Sequence, residues 1–405
     1  MTDVQPASAD SAWTGKASFW VVIALLAAGA LRMAALSAHF AAAYPIAFLT
    51  AIALFALLAV PFWLFVAELD FLEREPVALR AVAFGWGGLV ATTVSMPGSA
   101  ALAAPTVEEI AKTLGVLAIA LVARGEVNSV LDGVVYGALV GLGFQIVEDV
   151  VFALGAVVLA GQGDQVQPVV ATFLLRGFLS GVWSHTLFGA LAGAGIGYLV
   201  VRTDRPWRVR LGVALLALLG AWASHVLWNS PLFRDGLGNG GLALLAVLLG
   251  KGLPPLLLIL LLVRTAHDRE AAYYVAHLAT LRDPELITKA ELGVLGSGSR
   301  RAAARRHAGL RAGRKATSAV RRLQRAQAGL AVELSRATCA VSGAAVEQRS
   351  AEIRDQRAVL TELGHPDAGP PAHDPGAWRR HTSTVATIAL TIAVLWAALT
   401  ALGGG

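Results

Sequence analysis

The stretch Pro105-Thr-Val-Glu108-Glu109-Ile-Ala-Lys112 places two carboxylates and an ammonium between two apolar runs, 101–104 and 114–122. A charged side chain at the centre of a bilayer costs about 2.5–3.5 kcal/mol on insertion scales, so such a cluster persists in lipid only where it faces a protein interior or a wet cavity. Pro105 is also a favourable first residue of a helix, and the glutamates could simply be first-turn acids that complement the helix dipole. The stretch alone leaves both interpretations open, and three further apolar runs with polar residues at helical spacing favour the first.

The composition predicts a membrane protein. Of the 405 residues, 56% are hydrophobic and 15% are charged, with a mean hydropathy of +0.64. Soluble domains carry about 25% charged residues, so we expect an all-α, polytopic membrane helix bundle. A single cysteine, Cys339, excludes an internal disulfide and a zinc site built from several cysteines. The polar, acid-containing start of the chain differs from a cleaved signal peptide, so we expect the apolar segment that follows to be retained.

Apolar runs of about 20 residues, the length needed to cross a bilayer, divide the chain. Eight of them predict the core transmembrane helices, at Ala17–Ala38, Pro45–Val66, Leu79–Ser95, Ala101–Ala123, Val130–Leu159, Pro168–Val201, Leu211–Trp228 and Gly241–Val263. A ninth, C-terminal span is predicted at Ser383–Leu402. The runs from Val130 and Pro168 exceed one bilayer thickness, so these helices could tilt or begin as interfacial segments. The predicted domains are a polar tail (1–16), a transmembrane core (17–263), a basic helical cytoplasmic segment (264–381) and a C-terminal span with a short tail (382–405).

The distribution of arginine predicts the orientation, because cytoplasmic loops carry the excess of basic residues. With the N-terminus inside, the outer loops contain only Arg32 and Arg234, and the long segment 264–380 lies inside. The arginines of the shorter inner loops are Arg74, Arg80, Arg124, Arg202, Arg205, Arg208 and Arg210. We therefore expect a multi-pass protein of the cell membrane with a cytoplasmic N-terminus and an external C-terminus.

The segment after Val263 differs in character from the apolar core. From Arg300 to Arg325 it contains nine arginines and Lys315, and no acid occurs between Leu292 and Ala331. It predicts two or more polar helices, with a hairpin as one arrangement, followed by a linker at 364–377. A basic cluster next to the membrane favours anionic lipid headgroups at 300–325 as a partner. We expect no nucleic acid as a partner, because aromatic residues are not interleaved with the basic ones.

The first polar group within an apolar run is the quoted stretch itself. Glu108 and Lys112 lie one helical turn apart on the same face, so they can pair. Glu109 points about 100° round the helix and would remain available for other work.

The second polar group is Phe144-Gln-Ile-Val-Glu148-Asp149, preceded by Gly141 and Gly143, where a neighbouring helix could approach closely. A protonated Glu148 in an interhelical hydrogen bond would be a purely structural explanation. Two adjacent acids within the apolar run 137–158 favour a functional role instead.

The third and fourth groups contain His185 and His225. A buried neutral histidine often only bonds a backbone carbonyl, and His225 with Asn229 could mark the interfacial end of a span. In the predicted orientation, however, Glu108, Glu148 and His225 lie in the outer half of the membrane, with His185 near mid-depth and within reach. Scattered structural polar residues are not expected to converge at one depth.

Such a set of residues permits water activation, in which a glutamate takes a proton while a cation or histidine polarises the water. Zinc takes three nitrogen or oxygen ligands and keeps one open position, and His185, His225 and one of Glu148 or Glu109 would supply them. Asn229 could orient a histidine or stabilise a developing oxyanion. The chain contains no His-Glu-x-x-His stretch, which excludes a conventional soluble-type metalloprotease.

These motifs resemble those of the PrsW family of intramembrane proteases, a relative of the CAAX prenyl proteases and the bacteriocin-processing enzymes. The matching motifs, in order, are Glu108-Glu109-x-x-Lys112; Asp132-Gly-Val-Val-Tyr-Gly137 leading to Gly141-Leu-Gly-Phe144-x-x-x-Glu148-Asp149; Arg176 with His185; and His225-x-x-Trp228-Asn229. The resemblance covers roughly residues 80–263 and says nothing about 264–405.

The resemblance implies an intramembrane endopeptidase that uses a divalent metal, which we expect to be zinc, and that cleaves a membrane protein such as an anti-sigma-factor-like substrate. By analogy, one of Glu108 and Glu109 is the catalytic base. Glu148, His185 and His225 would bind the metal or polarise the water. The residues expected to support them are Lys112, Asp149 and Asn229.

One position departs from the family pattern, and two other functions are alternatives to proteolysis. The family usually has Glu-Asn where this chain has Glu148-Asp149, so the extra acid could add a ligand. A proton- or ion-coupled transporter would also keep buried glutamate and histidine, but it predicts inverted repeats, and the sequence shows no convincing one. A membrane scaffold built on the arginine-rich segment would leave the buried cluster unexplained.

Overall fold

The computed structural model describes residues 15–69, 75–96, 103–181, 184–230, 248–337 and 343–365. Most of the polar tail, most of the predicted linker and the predicted ninth span lie outside these ranges. Every element within them is helical, which confirms the predicted all-α fold.

The helices differ from the predicted runs mainly in where they break. Their bounds are Ala17–Ala43 (α1), Pro45–Ala67 (α2), Val77–Gly85 (α3), Thr92–Ser95 (α4), Ala103–Val122 (α5), Val130–Ala160 (α6), Gln167–Thr172 (α7), Ser184–Val201 (α8), Trp207–Asn229 (α9), Leu253–Leu278 (α10), Lys289–Leu295 (α11), Gly298–Ala337 (α12) and Gly343–Glu362 (α13). Wider π-helical turns occur at Trp86–Ala91, Phe173–Gly181 and Leu248–Gly252.

Seven helical segments in the described ranges are long and apolar enough to cross a membrane, which supports a multi-pass membrane protein. Helix α5 has a similar length of 20 residues, but it carries the charged group Glu108, Glu109 and Lys112. Helix α10 continues past Val263, so the residue at which we predicted the eighth span to end lies inside a helix.

The described residues form two compact units, which divide between Val263 and Arg264. We call the residues up to Val263 the membrane unit and those from Arg264 onward the basic unit. Each unit contains its own cluster of buried hydrophobic side chains.

Glycines bring α6 and α8 of the membrane unit into backbone contact. They recur at every fourth residue of each helix, at Gly133, Gly137 and Gly141 and at Gly189, Gly193 and Gly197. A Cβ atom on Gly137 would lie 2.1 Å from the carbonyl oxygen of Gly189, a distance that no larger residue tolerates. At Gly141 the added Cβ atom would lie 2.0 Å from the carbonyl oxygen of His185. The spacing therefore lets α8 approach closely enough to hold His185 against α6.

The described part of the predicted run Pro168–Val201 contains α7, the π-helical turn and α8. Gln145 of α6 contacts the first described residues of α8. Its side-chain oxygen accepts hydrogen bonds from Ser184 Oγ at 3.0 Å and from the amide of His185 at 3.4 Å. This contact helps to hold α8 against α6 next to His185.

The basic unit contains the helical hairpin that the sequence left as one option. Helix α12 reverses at Ala312 and Gly313, where glycine adopts a φ of 76°. Beyond the turn, Gln324 accepts a hydrogen bond from Arg305 Nη1 at 2.9 Å and donates one to the carbonyl of Arg301 at 3.3 Å. Buried alanines between the arms include Ala304, Ala308, Ala316 and Ala319.

Candidate metal centre in the membrane unit

Helices α5, α6, α8 and α9 bring together most of the residues that the sequence singled out. The residues that meet in one buried cluster are Glu108, Glu109, Lys112, Glu148, His185 and His225. Asn229 is exposed at the last residue of α9, and Asp149 lies beside the cluster. The convergence supports the interpretation of these polar groups as one site.

The two histidines are in direct ring contact at the centre of the cluster. Their ring centroids lie 4.7 Å apart with an angle of 87° between the planes. Phe188 stacks on His225 at 5.3 Å, and Phe144 lies 4.9 Å from the ring of His185. Both histidines are buried, so the aromatic walls shield their ring nitrogens from lipid.

His225 is oriented by a carboxylate from another helix. Its Nδ1 lies 2.8 Å from Glu109 Oε1, and because a carboxylate only accepts, Nδ1 carries the proton. The lone pair on Nε2 then faces Glu108 Oε2 at 3.6 Å. This is the arrangement in which a carboxylate fixes the tautomer of a metal-binding histidine.

The expectation that Glu109 stays available is wrong, and Lys112 does not form the pair with Glu108 that the helical spacing allowed. Lys112 Nζ instead bonds Glu109 Oε1 at 2.6 Å, and Glu109 is 1% exposed, so it is not left available. The ammonium also donates to His185 Nδ1 at 2.8 Å and lies 4.8 Å from the centre of the Phe144 ring. Spacings of three and four residues on a helix both permit an ion pair. The neighbouring helices favour the pair with Glu109, because His225 contacts Glu109 and His185 contacts Lys112.

Glu148 and Asp149 share one arginine. Arg176 Nη2 donates to Glu148 Oε2 at 2.8 Å, and its Nε donates to Asp149 Oδ1 at 2.9 Å. Glu148 Oε2 also lies 3.3 Å from His185 Nε2. The guanidinium stacks on Phe152, 3.7 Å from the ring centre. Glu148 therefore touches the cluster, whereas the bonded oxygen of Asp149 is directed to Arg176.

Gln145 is the site residue that sequence reasoning missed. It is fully buried, and its amide nitrogen donates a hydrogen bond to Asp149 Oδ1 at 3.0 Å. Its side-chain oxygen accepts a hydrogen bond from Ser184 Oγ of α8. The available signal was its spacing of four residues from Asp149 within an apolar run, which places both on one face of a helix. Arg176 was noticed only as part of a motif, because nothing in the sequence shows which acid it meets.

Glu108, His185 and His225 fit a divalent cation. One ligand atom from each lies within 4.8 Å of the other two. Glu108 Oε2 is buried and has no hydrogen-bond partner among the described residues, which is an unfavourable state for a carboxylate without a cation. Two imidazoles and a carboxylate suit zinc with an open fourth position. Because Lys112 donates to Nδ1 of His185, the proton of the neutral ring lies on Nε2, and a metal bound at Nε2 would require this proton to move to Nδ1.

Glu108 is a possible third ligand in addition to Glu148 and Glu109, the two alternatives that the sequence suggested. Only Glu108 joins the two histidines in this group of possible ligands, within the described residues, whereas Glu148 is engaged by Arg176. The sequence could not decide between Glu108 and Glu148, because neither lies on the same helix as a histidine of the site.

Comparison with known proteins gives one match. A family model described as PrsW family intramembrane metalloprotease matches residues 75–251 and spans the whole cluster. No curated protein and no solved structure matches the chain. The match confirms the predicted resemblance and, at the level of the family, the predicted peptidase class with its divalent metal. Residues 75–251 of this chain are therefore similar to the PrsW family of intramembrane metalloproteases.

Proposed function

We propose that this protein hydrolyses a peptide bond in or near the membrane segment of a membrane-protein substrate, with zinc held by His185, His225 and Glu108. One observation carries the proposal. The buried imidazoles of His185 and His225 meet Glu108 inside the segment that matches the family. The buried Oε2 of Glu108 has no hydrogen-bond partner among the described residues. A structural polar cluster would be expected to satisfy that oxygen.

The neighbouring residues support the ligands. Glu109 holds the tautomer and ring orientation of His225, so Nε2 is ready to bind a cation. Lys112 compensates the charge of Glu109 and fixes the ring of His185 through Nδ1. A bound zinc ion would supply Lewis acidity and an acidified water at neutral pH.

Glu148 is the general base in this proposal. Its Oε2 lies 3.3 Å from His185 Nε2, and the hydrogen bond from Arg176 orients the carboxylate. Glu109 is a poorer candidate because its Oε1 is bound by both Lys112 and His225. The role of Asp149 is to hold Arg176 in place.

The substrate class follows from where the site lies. Its residues are on helices of the membrane unit, so the scissile bond must enter the membrane or lie at its surface. A single-span, anti-sigma-factor-like protein is the substrate that we propose, because one helix that unwinds locally exposes a peptide bond to such a site.

The test is reconstitution of the full chain with a panel of single-span substrates, with cleavage and bound zinc measured together. We expect Glu108→Gln to lose both cleavage and zinc, and Glu148→Gln to lose cleavage while it retains zinc. Glu347→Gln, which changes an exposed glutamate of the basic unit, is the matched control and should retain both. Full cleavage by both Glu108→Gln and Glu148→Gln, or cleavage by a preparation that holds no stoichiometric metal, would contradict the proposal.

Anionic lipid is the second partner that we propose, at the basic segment 300–325. Six of its ten basic residues have exposed side chains, namely Arg300, Arg306, Arg311, Arg314, Lys315 and Arg322. The proposed orientation places this segment and the N-terminus in the cytoplasm, where anionic headgroups attract basic segments. Labelling of cysteines introduced at exposed positions, in sealed vesicles, tests that orientation.

A further inference from the structure

The turn of the hairpin in the basic unit has an unusual surface. We call the residues 310–315 the hairpin tip. Leu310 is 87% exposed, while the other large hydrophobic side chains that are exposed among the described residues of this unit are Tyr273 at 40% and Val359 at 37%. Arg311, Arg314 and Lys315 are exposed around it, and no acid occurs between Leu292 and Ala331.

The arms of the hairpin use their basic residues differently. Arg301 is 5% exposed and donates to the carbonyl of Leu295 at 2.6 Å, and Arg305 is bound to Gln324. Burial and the neighbouring Arg321 lower the pKa of Arg305 to about 10, which shows how closely the cationic side chains of the arms are packed. These arginines are part of the internal structure of the hairpin, whereas those of the tip project outward.

We infer that the hairpin tip is a docking element for an anionic lipid surface, with Leu310 in the acyl boundary and the three basic side chains at the headgroups. A single exposed leucine would carry no meaning on its own. Here it lies at the end of a rigid hairpin, flanked by basic residues, and this combination of an apolar anchor with a basic rim is what lipid interfaces select. The inference goes beyond proteolysis, rests on the lipid partner proposed above, and narrows that contact from ten basic residues to three.

The experiment uses the full chain in nanodiscs of phosphatidylcholine with or without phosphatidylglycerol. In a Cys339→Ser background, a spin label is placed at Leu310→Cys, and its depth is read from collisions with oxygen and with a water-soluble nickel complex. Arg322→Cys is the matched control, because it is an exposed basic position of the same hairpin away from the tip. We expect the label at 310 to enter the bilayer only when phosphatidylglycerol is present, and the label at 322 to remain in water.

Charge neutralisation completes the test. Each basic residue at an anionic surface corresponds to about a fivefold change in binding, so Arg311→Gln, Arg314→Gln and Lys315→Gln together should lower the docked fraction relative to the undocked fraction on the order of 100-fold. A label at 310 that stays in water in both lipids overturns the inference. Equal depth of the labels at 310 and 322 also overturns the inference, although the whole basic segment could then still contact lipid. A label at 310 that enters the bilayer without phosphatidylglycerol overturns the role of anionic lipid in docking.

Discussion

Two buried glutamates, one in each unit of the molecule, have opposite surroundings. Glu291 of the basic unit is 4% exposed, and its Oε2 accepts hydrogen bonds from the Thr288 amide at 2.9 Å, from Gln327 Nε2 at 3.1 Å and from Arg357 Nη2 at 2.6 Å. Glu108 of the membrane unit is 7% exposed, but its Oε2 has no hydrogen-bond partner among the described residues. Its contact with His225 Nε2, at 3.6 Å, is longer than a hydrogen bond.

The difference distinguishes a carboxylate whose hydrogen bonds stabilise the fold from a carboxylate that we propose binds a metal. Buried polar atoms are almost always satisfied, because leaving one unpaired costs about 1–3 kcal/mol. Glu291 meets that rule with donors from its own capping box and from two other helices. Glu108 violates it beside two histidines, so the unpaired oxygen indicates function rather than stability.

The largest expected effect tests the satisfied member of the pair. Glu291→Ala should destabilise the basic unit by about 3 kcal/mol, because it leaves Arg357 and the amide of Thr288 without their acceptor. Hydrogen exchange of α11 and α12 in the full chain measures the loss. Protection equal to that of the wild type would mean that the three hydrogen bonds contribute little, and the comparison with Glu108 would fail.

Glu108→Gln tests the unsatisfied member. Removal of a metal ligand should lower the cleavage rate at least about 100-fold, or about 2.7 kcal/mol, since outer partners alone are worth about 10–100-fold. With both proteins free of metal, thermal unfolding should not shift downward, because the substitution removes an uncompensated buried charge. A variant that loses stability as Glu291→Ala does would instead identify Glu108 as a structural residue.

Glu109 lies between the two extremes, with Oε1 bound by Lys112 and His225 and Oε2 without a hydrogen-bond partner among the described residues. We expect Glu109→Gln to weaken zinc binding by about 10–100-fold, or about 1.4–2.7 kcal/mol, because the histidine loses its carboxylate partner. Competition with a zinc chelator measures the affinity. An affinity unchanged from the wild type would exclude this positioning role.

The smallest expected effect on the site itself comes from the helix contact that places His185 against α6. Gly137→Ala should cost about 1–3 kcal/mol, because its Cβ atom meets the backbone of Gly189, and it should move His185 away from α6 and reduce cleavage. Gly155→Ala on the same helix is the control, since nothing lies within 4 Å of the added Cβ atom. Thermal unfolding and cleavage assays on the two variants should differ; identical behaviour would show that the close contact does not set the site.

Sequence reasoning predicted the all-helical, multi-pass architecture, because a backbone in lipid has few ways to satisfy its hydrogen bonds other than a helix. It did not identify Gln145, whose side chain on α6 contacts Ser184 of α8. No local pattern in α8 records that partner, and no local pattern distinguishes the π-helical turn at Phe173–Gly181 from an α-helix.

Residue types and their spacing along each helix are local properties, so the sequence by itself determined an all-helical membrane protein, its resemblance to one family over residues 75–251, and the polar residues that meet in the site. Which oxygen of which glutamate stays without a partner is not local. Lys112 could reach Glu108 or Glu109 along its own helix, and the choice of Glu109 depends on histidines from α8 and α9. Only the tertiary structure could decide it, because the free energy of a buried charge is set by the groups around it rather than by its neighbours in the chain.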